Sequence, residues 1–176
     1  FVRRALAGTT ATVCALTAAA ACARQHPVPP CDTASVPGLV IAVGARANSA
    51  LPTPLPDPVE TAIEEVIKEA GKDGTGAATI IRVDGQPSVA CTVHLDLRGI
   101  ANDAARDNER ARFRNDVHRR IEEVRAVEAE ADVLKALQLA SDRAGANGTV
   151  VLIDSGLQTT NPLNFTVAGL LDAGAD

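Results

Sequence analysis

Methionine, tryptophan and tyrosine are absent from these 176 residues, and Phe1, Phe113 and Phe165 make up the whole aromatic complement of 2%. Single-strand and RNA readers stack bases on aromatic platforms, so that class is excluded. Positive charge is also short. Seventeen Lys+Arg face 22 Asp+Glu, a formal net charge of −5, whereas phosphate binding needs a basic face. Nucleic acid is therefore not an expected partner. No run of 18 strongly apolar residues occurs, which excludes a multi-pass membrane protein. There is no Cys-X-X-Cys and no Cys/His cluster, so zinc is not expected, and no cofactor is. What is present is 46% hydrophobic residues, enough for one ordinary domain with a packed core.

The segment Val2–Cys22 has the three parts of a secretory signal. Arg3 and Arg4 form a charged start. Ala5–Ala18 is modestly apolar, diluted by Gly8, Thr9, Thr10, Thr12 and Thr17. Ala19-Ala20-Ala21 then places small residues before Cys22. Three readings are open: cleavage at an Ala-X-Ala site, an uncleaved anchor, or a lipoprotein signal. Here Ala19 stands where a bacterial lipobox usually has Leu. Lipidation of Cys22 is the expectation, because that cysteine falls where the apolar stretch ends and a Pro-rich stretch begins. Two acyl chains would give stable anchoring. Removing residues 1–21 leaves 15 Lys+Arg against the 22 Asp+Glu, a net charge of −7. Such a domain would be repelled by anionic headgroups, so only the anchor would hold it at the membrane. The expected location is the outer face of the cytoplasmic membrane, with secretion as the alternative. The opening Phe1-Val2 reads as translation from just upstream of a GTG start. The ending at Gly174-Ala175-Asp176 reads as the opening of a further element, so the chain is expected to be a fragment.

Residues 22–37 are expected to be a PPII-like tether carrying Pro27, Pro29, Pro30 and Pro37. Cys31 and Cys91 remain once Cys14 and Cys22 are set aside. In an exported chain such a pair suggests a disulfide; two free thiols are the alternative.

From residue 38 the pattern is α/β. Gly38–Gly44 is a continuous apolar run and predicts a strand buried on both faces. Asp57-Pro58 predicts a helix start, as N-cap and first helical residue, with Gly71 at its end. Its apolar stripe is Val59, Ala62, Ile63, Val66, Ile67 and Ala70. Ala78–Val83 is a second strand, and Asp84-Gly85 a hairpin signal. Ser88–Leu97 alternates, with Val89, Cys91, Val93, Leu95 and Leu97 inward and Ser88, Ala90, Thr92, His94 and Asp96 outward. That predicts an antiparallel strand near the sheet edge. Helices follow over about 103–127, with Phe113, Val117, Ile121 and Val124 on one stripe, and over about 131–144, with Leu134, Leu137 and Ala140–Ala144 inward. Thr149–Asp154 predicts another doubly buried strand. The order β–α–β–β–α–α–β predicts three layers around a mixed, mostly parallel sheet with one antiparallel hairpin.

A buried first strand, a helix, a hairpin, and a helix carrying Ala136-Leu137 that leads into Val150-Val151-Leu152-Ile153-Asp154-Ser155-Gly156 resembles the von Willebrand factor A domain. The stretch Val151–Phe165 is similar to exported proteins of high-GC Gram-positive bacteria in which such a domain precedes an outer-membrane-protein-A-like, peptidoglycan-binding domain. The resemblance covers about residues 37–176 and rests on arrangement more than on motif. It implies a metal-ion-dependent adhesion site built from Asp-X-Ser-X-Ser after the first strand, a later Thr, and an Asp after the late strand. In this chain the first position offers Gly44, Arg46 and Asn48, or Ala45, Ala47 and Ser49, and neither register has the aspartate. The Thr position falls at about Ala131. Asp154 alone matches. A lone carboxylate does not hold Mg²⁺, and Arg46 would repel it. The resemblance therefore implies the fold without the metal site.

The other motifs point to bland roles. Gly71–Gly76 lacks P-loop spacing, and Ser155 lacks a nucleophile elbow. The sequence thus predicts a non-enzymatic envelope lipoprotein whose domain, residues 38–176, binds the cell wall or another envelope protein. The expected contact rim, at strand C-termini, is Arg46, Asn48, Ser49, Asp154, Ser155 and Gln158. The alternatives are an exported hydrolase, either with its catalytic residues missing from this fragment or built around His94 and Asp96, and a small-ligand-binding lipoprotein.

Overall fold

The computed structural model describes residues 31–34, 37–44, 54–154 and 159–160. Cys22, the signal segment, most of the tether, and Arg46, Asn48, Ser49, Ser155 and Gln158 lie outside the described residues.

The apolar run 39–43 is entirely buried and forms β1 (Leu39–Gly44). Its burial has a topological cause. β1 lies between two parallel neighbours, β2 (Thr75–Val83) and β4 (Thr149–Ile153). Alternate side chains therefore enter two different cores. Leu39, Ile41 and Val43 pack with one set of helices, and Val40 and Ala42 with the other. β2 continues through a hairpin into antiparallel β3 (Ser88–Asp96), with a register shift between Ile80 and Ile81. The described strands form one mixed sheet in the order β3-β2-β1-β4.

α1 (Asp57–Asp73) crosses from β1 to β2. It starts one residue earlier than expected: Pro56 occupies the cap position, Asp57 lies in the first turn, and no side chain caps the helix. It also runs past Gly71 to Gly74, whose left-handed backbone (φ +82°) ends it with an N–H to the Ala70 carbonyl. α2 (Asp103–Glu123) opens on Asn102, whose side chain accepts from the N–H groups of Ala104 and Ala105. It ends four residues before the expected point, because Val124 turns extended. α1 and α2 cover one face with Val59, Ile63, Ile67, Phe113, Val117 and Ile121. A Glu60–His118 contact (3.0 Å) and an ion pair between Glu64 and Arg114 join the two helices at the surface.

α3 (Val133–Ala144) covers the opposite face. Its buried stripe is Val133, Ala136, Ala140 and Ala144, and Leu134 is 48% exposed. The expected inward placement of Leu134 is thus corrected by one position. Asp132 caps the helix by accepting from Lys135 N–H (3.1 Å). The small side chains let α3 lie close to β1. β4 is not doubly buried as expected. It is the last strand of the described sheet, Thr149 and Val150 are exposed, and Val151–Ile153 are half-buried.

Residues 31–34 are not free tether. Asp32 bridges Thr92 in antiparallel fashion, so the segment lies along the outer edge of β3. That contact buries Thr92, which alternation had placed on a wet face.

Candidate functional site

The chain builds outward from β1 through β2 to β3 and then crosses to β4 on the other side of β1. The C-terminal ends of β1 and β4 therefore mark the point where strand order reverses. In open α/β sheets ligands bind at such a crevice. Gly44 ends β1 and Asp154 follows β4. The Asp154 carboxylate lies directly across Gly44, so that a Cβ there would stand 2.8 Å from Asp154 Cγ. A larger residue at position 44 would displace the Asp154 carboxylate from this place. Of the expected rim residues, Asp154 alone is described, and it stands where the strand pattern placed it.

The rim is reinforced by a residue whose long-range role the sequence did not reveal. Asp84, at the end of β2, is fully buried. Its Oδ1 accepts from Gln86 N–H (3.1 Å), and its Oδ2 accepts from Val127 N–H (3.0 Å) and Glu128 N–H (3.3 Å). Arg82 Nε approaches Oδ2 to 2.6 Å as an ion pair without hydrogen-bond alignment. The Asp84 carbonyl also accepts from Asp132 N–H (3.0 Å), the α3 cap. One residue thus ties the hairpin to the loop between α2 and α3. The local Asp-Gly signal accounts for Asp84 as a turn residue, and nothing in the sequence marks its partners 43 to 48 positions away. At the same end, Ala131 N–H donates to Thr159 Oγ1 (2.6 Å), and Thr159 N–H donates to the Ala131 carbonyl (3.0 Å). The segment after β4 therefore returns to the start of α3. Among the described residues, no group of three or more His, Cys, Asp or Glu side chains is placed to hold a metal ion.

A second cluster lies at the β3 edge. Cys31 and Cys91 are joined as a disulfide with Cα atoms 5.2 Å apart. Thr92 N–H donates to the Asp32 carbonyl (2.6 Å), and Thr92 Oγ1 donates to the Ala34 carbonyl (3.0 Å). Thr92 Oγ1 also shares a buried hydrogen bond with Thr79 Oγ1 (3.2 Å). The Asp32 carboxylate lies 3.1 Å from His94 Nε2. Its pKa is held below the ordinary value, chiefly because Ala34 N–H donates to it and secondarily through His94.

This geometry separates His94 from Asp96, the proposed acid–base pair. His94 is taken by Asp32. Asp96 is held by Arg98, whose Nε and Nη2 reach its two oxygens at 2.9 and 2.7 Å. That bidentate grip lowers the Asp96 pKa to about 2. Sharing a strand face did not bring the two together, because each found a closer partner. His118 is likewise engaged, with Glu60. Thr92 Oγ1, the hydroxyl two residues before His94, is engaged in hydrogen bonds with Ala34 and Thr79.

No protein-family model, curated protein or solved structure matches the chain.

Proposed function

We propose that this chain is an exported, lipid-anchored envelope protein whose von Willebrand A-like α/β domain acts as a non-enzymatic interaction module. The observation that carries the reading is the rim at the reversal point of the sheet. There β1 and β4 lie side by side, Asp154 stands across Gly44, and the neighbouring loop is clamped by Asp84. Such a rim presents loops from a rigid scaffold, the usual architecture of a binding face. The mixed sheet with one antiparallel pair supports the domain class. The Cys31–Cys91 bridge supports an oxidising compartment. Among the described residues no helix is long and apolar enough to cross a membrane. The reading assigns membrane attachment to Cys22 on its place at the end of the apolar stretch.

Two experiments test this. Expression of the full chain in a bacterium with a labelled fatty acid should give a membrane-bound, labelled product, and Cys22→Ser should abolish the label; a labelled Cys22→Ser product would refute lipidation. Purified protein should co-sediment with isolated cell-wall sacculi or cross-link to an envelope protein in cells. Asp154→Ala should weaken that association at least threefold, whereas Glu69→Ala, at the opposite end of the sheet, should not. Equal effects of the two substitutions would remove the rim from the proposal. Hydrolysis of ester or peptide substrates that is lost in His94→Ala would favour the hydrolase instead.

A further inference from the structure

We propose that the Cys31–Cys91 bridge is a thiol–disulfide exchange site that latches residues 31–34 to the edge of the sheet. Its co-reactant class is a small thiol carrying negative charge. The two cysteines are unequally exposed: Cys31 is half-buried, and Cys91 is 4% exposed. A cavity of about 250 Å³ opens beside the bridge, lined by Arg112, Arg119 and Arg120 of α2 and by His94 of β3. Two carboxylates share the lining and both are engaged. Asp116 holds Arg119 at 2.6 Å and Arg112 at 3.6 Å, and Asp32 holds His94. Glu109 and Glu123 pair with Arg112 and Arg120 from outside the cavity. Among the described residues, the buried Arg119 Nε–H meets no acceptor. The lining thus sets three guanidinium groups against two carboxylates next to a disulfide, in a protein whose overall charge is negative.

The chemistry follows from that placement. A thiolate attacks Cys31 Sγ, the sulfur of the more exposed cysteine. A mixed disulfide forms on Cys31, the Cys31–Cys91 bond breaks, and Cys91 leaves as a thiolate. A second thiolate attacks the outer sulfur of the mixed disulfide, releasing Cys31 as a thiolate and a small-molecule disulfide. Two thiols are oxidised, the bridge gains two electrons, and the two protons lost by the thiols end on the two cysteines. Cationic neighbours stabilise a departing thiolate and draw in an anionic attacker. Once the bridge opens, the polar contacts that hold residues 31–34 among the described residues are the Asp32 and Ala34 carbonyls on Thr92 and the exposed Asp32–His94 pair. Release then opens the β3 edge at Thr92 and leaves the central strands in place.

The test uses the folded full chain at neutral pH and low salt. It is exposed to 3-mercaptopropionate, an anionic thiol, or to 2-mercaptoethanol, a neutral one. Reduction is followed by alkylation and mass spectrometry of the Cys31 and Cys91 peptides, with rates normalised to thiolate concentration. The expected result is a severalfold advantage for the anionic thiol that disappears near 1 M salt, where the screening length is about 3 Å. Arg119→Gln should slow the anionic thiol by about tenfold, an order set by electrostatic stabilisation of thiolates. Should that variant fail to fold, the salt comparison on the unsubstituted chain decides alone. Equal rates for the two thiols at both salt concentrations would overturn the exchange site, as would reduction no faster than global unfolding. After reduction, the Thr92 amide should exchange with solvent at least tenfold faster while Ile41 and Ile80 stay protected. An unchanged Thr92 would overturn the latch.

Discussion

Asp84 shows how much one side chain can organise. Its carboxylate is fully buried, and its oxygens accept three backbone N–H bonds in addition to facing Arg82. Asp84→Ala would leave those donors and a guanidinium that is 21% exposed without their acceptor. Removing one partner of a buried charge pair costs about 3–5 kcal/mol, and Arg82 is wet enough to place this case near about 3. Urea unfolding should show that loss, and a change under about 1 kcal/mol would contradict the clamp. Asp96 is the opposite case, a carboxylate in solvent held by Arg98 alone. Its pKa, lowered to about 2, makes its contribution complete above the ordinary value of 3.8 and lost as pH falls through about 2. Carboxyl NMR titration should find that midpoint, and Arg98→Gln should return it toward 3.8. An unchanged midpoint in the variant would reject the pair as the cause.

At the scale of elements, the disulfide changes what residues 31–34 are. The stretch reads as tether by composition, yet it lies on β3 because Cys31 is bonded 60 positions away. A loop of that length implies about 4 kcal/mol of stabilisation from the restricted unfolded chain. The Cys31→Ser/Cys91→Ser protein should therefore unfold at clearly lower urea; an unshifted midpoint would show that the bridge adds nothing to the strap. Helix bounds shifted for equally local reasons. α1 extends to Gly74 because Gly71 did not take up the left-handed turn that Gly74 did. α3 rotates so that alanines, and not Leu134, meet the sheet.

At the scale of the whole molecule, the described residues cover the two faces of the sheet unequally. α1 and α2 bury Ile63, Ile67, Phe113 and Ile121, whereas α3 buries one valine and three alanines. Apolar burial contributes about 25 cal/mol per Å², so α3 is the less firmly held layer. Native-state hydrogen exchange should find α3 amides opening at lower free energy than those of α1 and β1. Equal protection would mean that the capping and loop hydrogen bonds around Asp132 and Ala131 compensate for the small side chains.

The sequence by itself determined the element order, the buried first strand, the hairpin, the N-terminal bound of α2 and the α/β class. These depend on hydrophobic period and on turn residues, which act over a few positions. It also placed Asp154 at a strand end; that this end lies beside the reversal of the sheet came from the strand order. Tertiary structure alone decided that β4 lies at the outside of the described sheet, that Thr92 is covered, that His94 pairs with Asp32 and not with Asp96, and that Asp84 clamps a loop more than forty residues away. Each of these depends on which distant segment arrives at a given edge. Burial and partner choice are properties of two surfaces meeting, and one-dimensional periodicity carries only one of them.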